Sequence, residues 1–332
     1  MKKKIIRISA LVGILIFAFI VYRIGPVQIW NHIRKITWQN FLILMGLRFL
    51  YWVLRTINWK VILDRYECDN SLPHMFAARM CSHAVSQLTP SAQVGGEAAR
   101  IFMLKCSSRK ISLASVIVDK TIEFLAVIVF TVIGVTVALT RLPLAGKHKT
   151  LFIGFVVLAS LLLLFIISKQ KKGLFGWLRD VLVKMRLKFK FMEKHRDTIE
   201  ETDVYISDFY RRHRKTFVGV FLLYSLLLLL WTAEIHLTLQ FIGADNISFL
   251  DSFLVTALGN LAFIFPFIPA SLGIYEATYV ALFALLGKGT DVGFTLVILR
   301  RILALLWAGI GLLGMLKAGV GTREAGELEK KG

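Results

Sequence analysis

Acidic residues are scarce in this chain. It has 332 residues, with 21 Asp and Glu against 41 Lys and Arg, which gives a formal net charge of +20. Charged residues make up only 19% of the chain and hydrophobic residues 56%, whereas soluble domains are nearer to a quarter charged and half apolar. The apolar residues fall into runs of about 20, the length that crosses roughly 30 Å of hydrocarbon. This pattern argues against a nucleic-acid-binding protein and predicts an all-α polytopic membrane protein.

Cysteines and catalytic motifs are also few. The three cysteines, Cys68, Cys81 and Cys106, show no CxxC spacing, so we expect free thiols rather than a zinc site or a disulfide framework. The sequence contains no H-E-x-x-H, no G-x-S-x-G and no Walker-type loop. We therefore expect no metal, no cofactor and no ATP-driven step from this chain alone.

Six apolar runs are predicted to span a membrane, and they organise the chain. They cover residues 8–22, 38–63, 111–140, 151–168, 216–242 and 291–317. The segments expected from them are an N-terminal span with an interfacial helix (1–37), a first repeat (38–140), a connecting span (141–168), a basic loop (169–215), a second repeat (216–317) and a polar tail (318–332).

Two further apolar segments are interrupted. Residues 73–105 are broken near Pro90, and residues 249–287 are broken at Pro269 and Gly273. We predict two re-entrant hairpins, with a proline kink in an ordinary helix as the alternative. Because non-helical backbone at membrane depth is tolerated only where it is buried in protein or lines a wet cavity, such breaks indicate a binding site.

The two interrupted segments match each other. Glu97 follows Pro90 by seven residues and Glu276 follows Pro269 by seven, with glycine between them in both cases. Each segment has a span before it and a charged span after it, so the three elements repeat at an offset of about 179 residues. The single connecting span makes the second copy enter from the opposite side. This is the inverted repeat that is typical of many secondary transporters.

Basic residues are sorted by side in this topology. Of the 41 Lys and Arg, 28 fall in the predicted cytoplasmic pieces and 7 in the outer pieces, which is a strong positive-inside signal. Both termini are therefore predicted to be cytoplasmic, in a cell membrane. The loop 169–215 carries a net charge of +7, and we expect it to contact an anionic lipid surface.

Two arginines lie inside the span 38–63. An ionisable side chain at mid-bilayer costs roughly 2.5 to 3.5 kcal/mol on insertion scales, so it must pair or face water. Arg48 and Arg55 are seven residues apart and share a helix face. Two such guanidiniums fit a phosphodiester, which they bind bidentately. The alternative is that they pair with acids elsewhere, for example Glu234.

Charges in the next spans allow two interpretations. Asp119 and Glu123 are four residues apart, so they share a face. They either hold a cation, an amine or a proton, or they pair with Arg300 and Arg301 at the matching position of the second repeat. In an alternating-access protein the two roles are compatible, and these residues are predicted to form a charge network with Glu234 and Glu276.

The first break precedes a half-helix. A helix that starts near Gln93 would direct its unpaired N–H groups at whatever occupies the break. Gly95 and Gly96 would let a ligand approach the backbone closely, and Glu97 and Arg100 follow within one turn. An anionic head group is the natural ligand, while compensation of the helix dipole is the alternative role for Glu97.

The same residues carry a family resemblance. Residues 89–100 (TPSAQVGGEAAR), the Asp119–Lys120 pair and residues 269–276 (PASLGIYE) resemble the lysylphosphatidylglycerol synthase transmembrane family. This is the flippase part of the bacterial multiple peptide resistance factor and its stand-alone relatives. The resemblance covers about residues 5 to 318. It implies movement of a phospholipid, such as aminoacylated phosphatidylglycerol, between leaflets.

The resemblance and the charges give one reading and two alternatives. We expect a lipid flippase or transporter without enzyme activity, because the soluble aminoacyl-transferase domain of full-length family members is lacking. A lipid-modifying enzyme, such as a phosphatidylglycerol lysyltransferase or a lipid-linked glycosyl transferase, is the first alternative. A polyprenyl-phosphate-sugar flippase or an accessory scaffold is the second. The expected partner is a membrane phospholipid and not nucleic acid. The oligomeric state is open, a homodimer being one option. The head-group residues expected are Arg48, Arg55, Gly95, Gly96, Glu97 and Arg100.

Overall fold

The computed structural model describes residues 26–88, 94–142, 146–170, 196–261 and 273–317. Within these ranges all regular structure is helical. The α-helices are α1 (Pro26–Ile33), α2 (Trp38–Leu63), α3 (Leu72–Leu88), α4 (Val94–Met103), α5 (Arg109–Arg141), α6 (Gly146–Gln170), α7 (Arg196–Arg212), α8 (Arg214–Phe241), α9 (Phe249–Gly259), α10 (Ile274–Leu285) and α11 (Thr290–Lys317), and a short 3-10 turn (Asp64–Tyr66) follows α2.

Four stretches of the described chain are long and apolar enough to cross a membrane. They are Trp38–Tyr66, Arg109–Arg141, Arg214–Phe241 and Thr290–Leu313, and they match four of the six predicted spans. The predicted span 151–168 lies within α6, of which Ile153–Leu162 is apolar. The predicted span 8–22 lies outside the described residues. The chain is therefore a multi-pass helical membrane protein.

The first interrupted segment is an antiparallel pair of short helices, α3 and α4. Near the start of α3, Nε2 of His74 donates a hydrogen bond to the carbonyl oxygen of Met103 at the end of α4, 2.7 Å away. Gly96 packs directly against the backbone of Ser82 and the hydroxyl of Ser86 on α3. The pair thus brings its start and its end together, as a hairpin requires. Its predicted break at Pro90 lies outside the described residues.

The second interrupted segment is also an antiparallel pair, α9 and α10. Just beyond α10, Nζ of Lys288 donates to the carbonyl oxygen of Asn246 at 2.5 Å and lies 3.9 Å from Asp251 in the first turn of α9. Gly259 at the end of α9 packs against the ring of Tyr279. Gly273 precedes α10 with a φ of 80°, a conformation that glycine adopts without strain. The predicted break at Pro269 lies outside the described residues.

The predicted repeat is visible in the order of the helices. The series α2, α3, α4 and α5 consists of a long helix, two short helices and a long helix. The series α8, α9, α10 and α11 has the same order. Each helix of the second series begins about 176 to 181 residues after its counterpart. This agrees with the offset of about 179 residues between the two proline motifs.

The described chain forms two compact units. The first contains residues of 1–53, 73–103 and 228–332. Its core packs α8, α9, α10 and α11 together through a cluster that includes Ile235, Val255, Phe283 and Leu296. Helix α1 is fixed to this unit by His32, whose ring nitrogens lie 3.2 Å from the Ile242 carbonyl oxygen and 2.9 Å from the Asp291 carboxylate.

The second unit contains residues of 54–72 and 104–227. Helix α5 packs against α7 and α6 within it. Nε1 of Trp59 in α2 donates to the hydroxyl of Ser115 in α5, 3.3 Å away. Tyr66 donates to the carbonyl oxygen of Tyr205, 3.2 Å away. Helices α2 and α8 contribute residues to both units.

Cys68 and Cys106 form a disulfide in the second unit, so the expectation of free thiols is wrong for this pair. The two cysteines are 38 residues apart in the sequence. They meet because two connecting segments run side by side: Oδ1 of Asn70 accepts a hydrogen bond from the backbone N–H of Lys105 at 3.1 Å. Cys81 lies buried in α3.

Candidate functional site

A group of buried charges lies within the first unit, where four helices contribute to it. We call it the arginine cluster: Arg48 of α2, Glu234 of α8, Glu276 of α10, and Arg300 and Arg301 of α11. Arg48, Glu234, Glu276 and Arg300 are each exposed by 5% or less. All five residues were expected to be functional from the sequence, and the structure brings them together on elements that are far apart in the chain.

Arg48 pairs with Glu234. The guanidinium donates to Oε1 of the glutamate, and both side chains are almost fully buried. The sequence left two roles open for Arg48, and the structure confirms pairing with Glu234. A buried charge is tolerated when a partner of opposite sign and hydrogen bonds offset its desolvation. The positive charge of Arg48 is therefore balanced by the carboxylate of Glu234.

Arg301 pairs with Glu276. Its Nε donates to Oε1 of the glutamate, whose side chain is completely buried. The other carboxylate oxygen, Oε2, accepts the backbone N–H of Gly273 at 2.7 Å, which caps the start of α10. The sequence had suggested Asp119 and Glu123 as partners of Arg301, whereas this ion pair joins it to the first turn of α10.

Arg300 has a different environment from its neighbour. Its Cζ lies 4.2 Å from the centroid of the Trp231 ring, the same distance as Cζ of Arg48. Its Nη1 is buried and has no hydrogen-bond partner in the described part of the chain. No ion pair joins Arg300 to a described carboxylate.

The cluster carries a surplus of positive charge. Arg48 and Arg301 each have a glutamate, while Arg300 has an aromatic ring. A cation–π contact is worth about 2 kcal/mol when it is desolvated, much less than the several kcal/mol that burial of an ion costs. The chemistry that would complete this arrangement is an anion with oxygen acceptors, which a guanidinium binds bidentately.

Aromatic side chains surround the guanidiniums, and the sequence analysis missed them. The rings of Tyr51 and Trp231 are 5.0 Å apart, and those of Tyr275 and Tyr279 are 4.6 Å apart with their hydroxyls 3.0 Å from each other. One signal could have revealed Trp231. Trp231 directly follows a run of five leucines and precedes Glu234 by three residues. Residues three apart on a helix are neighbours on its surface.

Charged residues of α2 and α5 pair within the second unit. Arg55 donates to Oε1 of Glu123, and Nζ of Lys120 lies 3.1 Å from Oε2 of the same carboxylate. Asp119, which is fully buried, accepts a hydrogen bond of 2.5 Å from the hydroxyl of Tyr224. Arg55 thus also has an acidic partner, as the second interpretation of the two arginines required.

The predicted residues of the first hairpin lie in the first turns of α4. The helix begins at Val94, close to the expected start near Gln93, and Gly95 and Gly96 belong to its first turn. Glu97 and Arg100 form an ion pair within the helix at 2.6 Å, and Arg100 is almost completely buried. The pairing makes Glu97 a local partner of Arg100, in a position that also suits the helix dipole.

Comparison with known proteins places the chain in a family. A "UPF0104 membrane protein" of Methanothermobacter thermautotrophicus is 26% identical over 312 residues, which cover 90% of both chains. No solved structure matches the chain. The family model described as "Lysylphosphatidylglycerol synthase TM region" matches residues 6–312, and this protein therefore belongs to the lysylphosphatidylglycerol synthase transmembrane-region family.

Proposed function

We propose that this protein moves an anionic or aminoacylated phospholipid, of the lysylphosphatidylglycerol type, between the two leaflets of the membrane. The observation that carries the proposal is Arg300, a guanidinium exposed by only 5% with a buried, unsatisfied Nη1 and an aromatic ring where its neighbours have carboxylates. The head-group phosphate would bind there.

The charge balance favours a phosphodiester as the ligand. The arginine cluster has three guanidiniums and two carboxylates, so one monoanion would bring it to neutrality. A phosphodiester carries one negative charge and offers oxygens for bidentate hydrogen bonds, and a guanidinium keeps its charge at every physiological pH. The polar head group would be sheltered from hydrocarbon while the acyl chains stay in lipid.

The repeat supports a transport mechanism. The matched helix order and the two antiparallel helix pairs are what an inverted repeat with two re-entrant hairpins requires. In this mechanism the hairpins enter from opposite sides, and both termini are cytoplasmic, as the distribution of 28 and 7 basic residues favours. The pairs of Arg48 with Glu234 and Arg301 with Glu276 would rearrange as the head group enters and leaves.

The family description supports the lipid class but does not name the substrate. The words "Lysylphosphatidylglycerol synthase TM region" refer to the membrane part of a lipid-modifying family, and the relative from Methanothermobacter is described only as a membrane protein. The proposal therefore commits to a phosphodiester head group, and a panel of lipids is needed to identify what is attached to it.

Reconstituted protein tests the proposal. Proteoliposomes carry a trace of acyl-labelled fluorescent phosphatidylglycerol, lysylphosphatidylglycerol or phosphatidylcholine, and a membrane-impermeant quencher reports how fast the label changes leaflet. We expect Arg300→Gln to slow the movement of the preferred lipid by about 10- to 100-fold, since a hydrogen bond to a charged group is worth about 1.5 to 3 kcal/mol. Arg300→Lys should retain part of the rate.

The matched control is Arg141→Gln, because Arg141 is an exposed arginine at the end of α5. It should move lipid at the wild-type rate. Equal rates for Arg300→Gln and wild type in correctly folded preparations would contradict the assignment of the phosphate to Arg300. Conversion of the labelled lipid into a new chromatographic species would support a lipid-modifying enzyme instead.

A further inference from the structure

A basic patch lies at the junction between α7 and α8, within the second unit. Helix α7 ends at Arg212 and α8 begins at Arg214, so that only His213 separates them. An open cavity of about 440 Å³ is found there. It is lined by what we call the junction patch: Arg65, Arg211, Arg212, His213, Arg214, Lys215 and Thr216.

Arg65 reaches this patch from a distant part of the chain because the turn after α2 is fixed to α7. Tyr66 donates to the carbonyl oxygen of Tyr205, and its ring stacks on that of Phe209 with centroids 6.2 Å apart. Phe209 is completely buried. The position of Arg65 beside the α7–α8 junction is thus determined by packing.

The patch also lies where two membrane spans end. The candidate span Trp38–Tyr66 ends next to Arg65, and the candidate span Arg214–Phe241 begins in the patch itself. The two span ends meet at one cavity, and the end of a membrane span is where lipid head groups are expected.

Three of the five Lys and Arg side chains in the patch have no acidic partner among the described residues. Arg212 pairs with Asp208 at 2.7 Å. Arg65, Arg214 and Lys215 form no ion pair with a carboxylate in the part of the chain that the structure describes, and all three are exposed. Basic residues that only determine the orientation of the protein in the membrane need not lie close together. Here residues from two separate parts of the chain line one cavity, which indicates a binding site.

We propose that the junction patch binds the phosphate of an anionic phospholipid of the surrounding leaflet, as a lipid site in addition to the arginine cluster. Basic pockets between membrane helices at the cytoplasmic boundary suit such head groups, and each Lys or Arg near an anionic surface contributes about 1 kcal/mol. The sequence predicted contact with anionic lipid for the whole loop 169–215. The proposal here places that contact at one cavity, at the end of this loop. Since no step of transport uses these residues, the site acts by holding a boundary lipid.

Native mass spectrometry of the detergent-solubilised full chain tests the proposal by counting bound lipids. Phosphatidylglycerol and phosphatidylcholine are titrated separately. The triple variant Arg65→Gln, Arg214→Gln, Lys215→Gln should bind one phosphatidylglycerol fewer than wild type at low lipid concentration. The affinity of this one site for phosphatidylglycerol should be about 100-fold weaker than in wild type. Phosphatidylcholine binding should be unchanged. The double variant Arg65→Lys, Arg214→Lys should retain most of the binding.

A matched triple variant, Arg34→Gln, Arg141→Gln, Lys149→Gln, removes the same charge elsewhere and should bind as wild type does. Arg300→Gln should keep the junction lipid, which separates this site from the transport proposal. Equal phosphatidylglycerol binding by the junction variant and wild type would overturn the proposal. So would complete displacement of the lipid by inorganic phosphate, because the site would then be one for a soluble anion.

Discussion

Arg301 in the middle of α11 is joined by an ion pair to Glu276 in the first turn of α10, and the glutamate side chain is completely buried while the arginine is half-buried. The same carboxylate accepts the backbone N–H of Gly273 and so determines where α10 begins. One glutamate therefore does two things: it offsets the charge of an arginine in a candidate membrane span, and it caps the start of α10.

We predict that Glu276→Ala will destabilise the protein severely. It removes the cap of α10 and takes its carboxylate partner from Arg301. Breaking a fully buried pair costs about 3 to 5 kcal/mol, and because Arg301 is half-buried we expect a loss at the lower end of that range. Glu276→Gln should be milder because it keeps an acceptor for Gly273. The measurement is the thermal midpoint in detergent, followed by size-exclusion chromatography.

A natural control is Asp251, which has the same capping position at the start of α9. It accepts the backbone N–H of Ser248 at 2.9 Å, is itself half-buried, and lies 3.9 Å from Nζ of Lys288. Asp251→Ala should cost only about 0.5 to 2 kcal/mol, as the loss of a helix cap does, because its contact with Lys288 is long at 3.9 Å. A loss as large as that of Glu276→Ala would show that the cap, and not the ion pair with Arg301, dominates at Glu276.

The second prediction concerns the close packing of α3 on α4. A methyl group at Gly96 would collide with the backbone of Ser82 and the hydroxyl of Ser86. Gly96→Ala should therefore destabilise by about 1 to 3 kcal/mol, the cost of overpacking. Gly46 of α2 has nothing within 4 Å of the same position, so Gly46→Ala should be neutral or stabilise by about 0.5 to 1 kcal/mol. Thermal midpoints of the two variants check this, and a harmless alanine at position 96 would contradict the helix pairing.

Local pattern was enough to predict the long helices and their order, but not α7, which lies in the segment expected to be a basic loop. The spans, the interrupted segments and the offset of about 179 residues follow from runs of apolar residues and from proline and glycine positions, and α2, α5, α8 and α11 occur where they were expected. The pairing of Arg48 with Glu234 was foreseen as one of two options, because a charge in an apolar span needs a partner.

Contacts between distant residues were harder to predict. Arg300 and Arg301 are adjacent in sequence and were treated as one unit, but successive residues of a helix point about 100° apart. One therefore lies on Trp231 and the other on Glu276. The pattern of a single helix does not reveal which residues of other helices contact each of its faces. It therefore did not predict that Arg300 would lie against Trp231 and not against a carboxylate.

The third prediction concerns Asp119 and Tyr224, which join α5 to α8 within the second unit. Asp119 is completely buried and accepts a hydrogen bond of 2.5 Å from the tyrosine hydroxyl. Tyr224→Phe should destabilise by about 1.5 to 3 kcal/mol, the value of a hydrogen bond to a charged group. In an Asp119→Asn background the same change should cost clearly less. Denaturation of all four proteins gives this coupling, and additive effects would show that the negative charge of Asp119 adds nothing to the bond.

The fourth prediction concerns the disulfide between Cys68 and Cys106. It closes a loop with a sequence separation of 38 residues, for which the chain-entropy treatment gives a stabilisation of about 4 kcal/mol. Reductant should therefore lower the thermal midpoint of the purified protein, and Cys68→Ser should lower it without further response to reductant. Cys81→Ser, which leaves the disulfide intact, should still respond to reductant as wild type does.

The same disulfide tests the predicted orientation of the chain. The segments 60–74 and 100–110 hold its two cysteines and are predicted to be cytoplasmic, where thiols are kept reduced. In cells quenched with acid and alkylated before lysis, we expect Cys68 and Cys106 to be alkylated, with the disulfide forming during purification in air. A disulfide that is already complete in unstressed cells would place both segments on the oxidising side. The distribution of basic residues would then have given the wrong orientation, and both termini would lie outside.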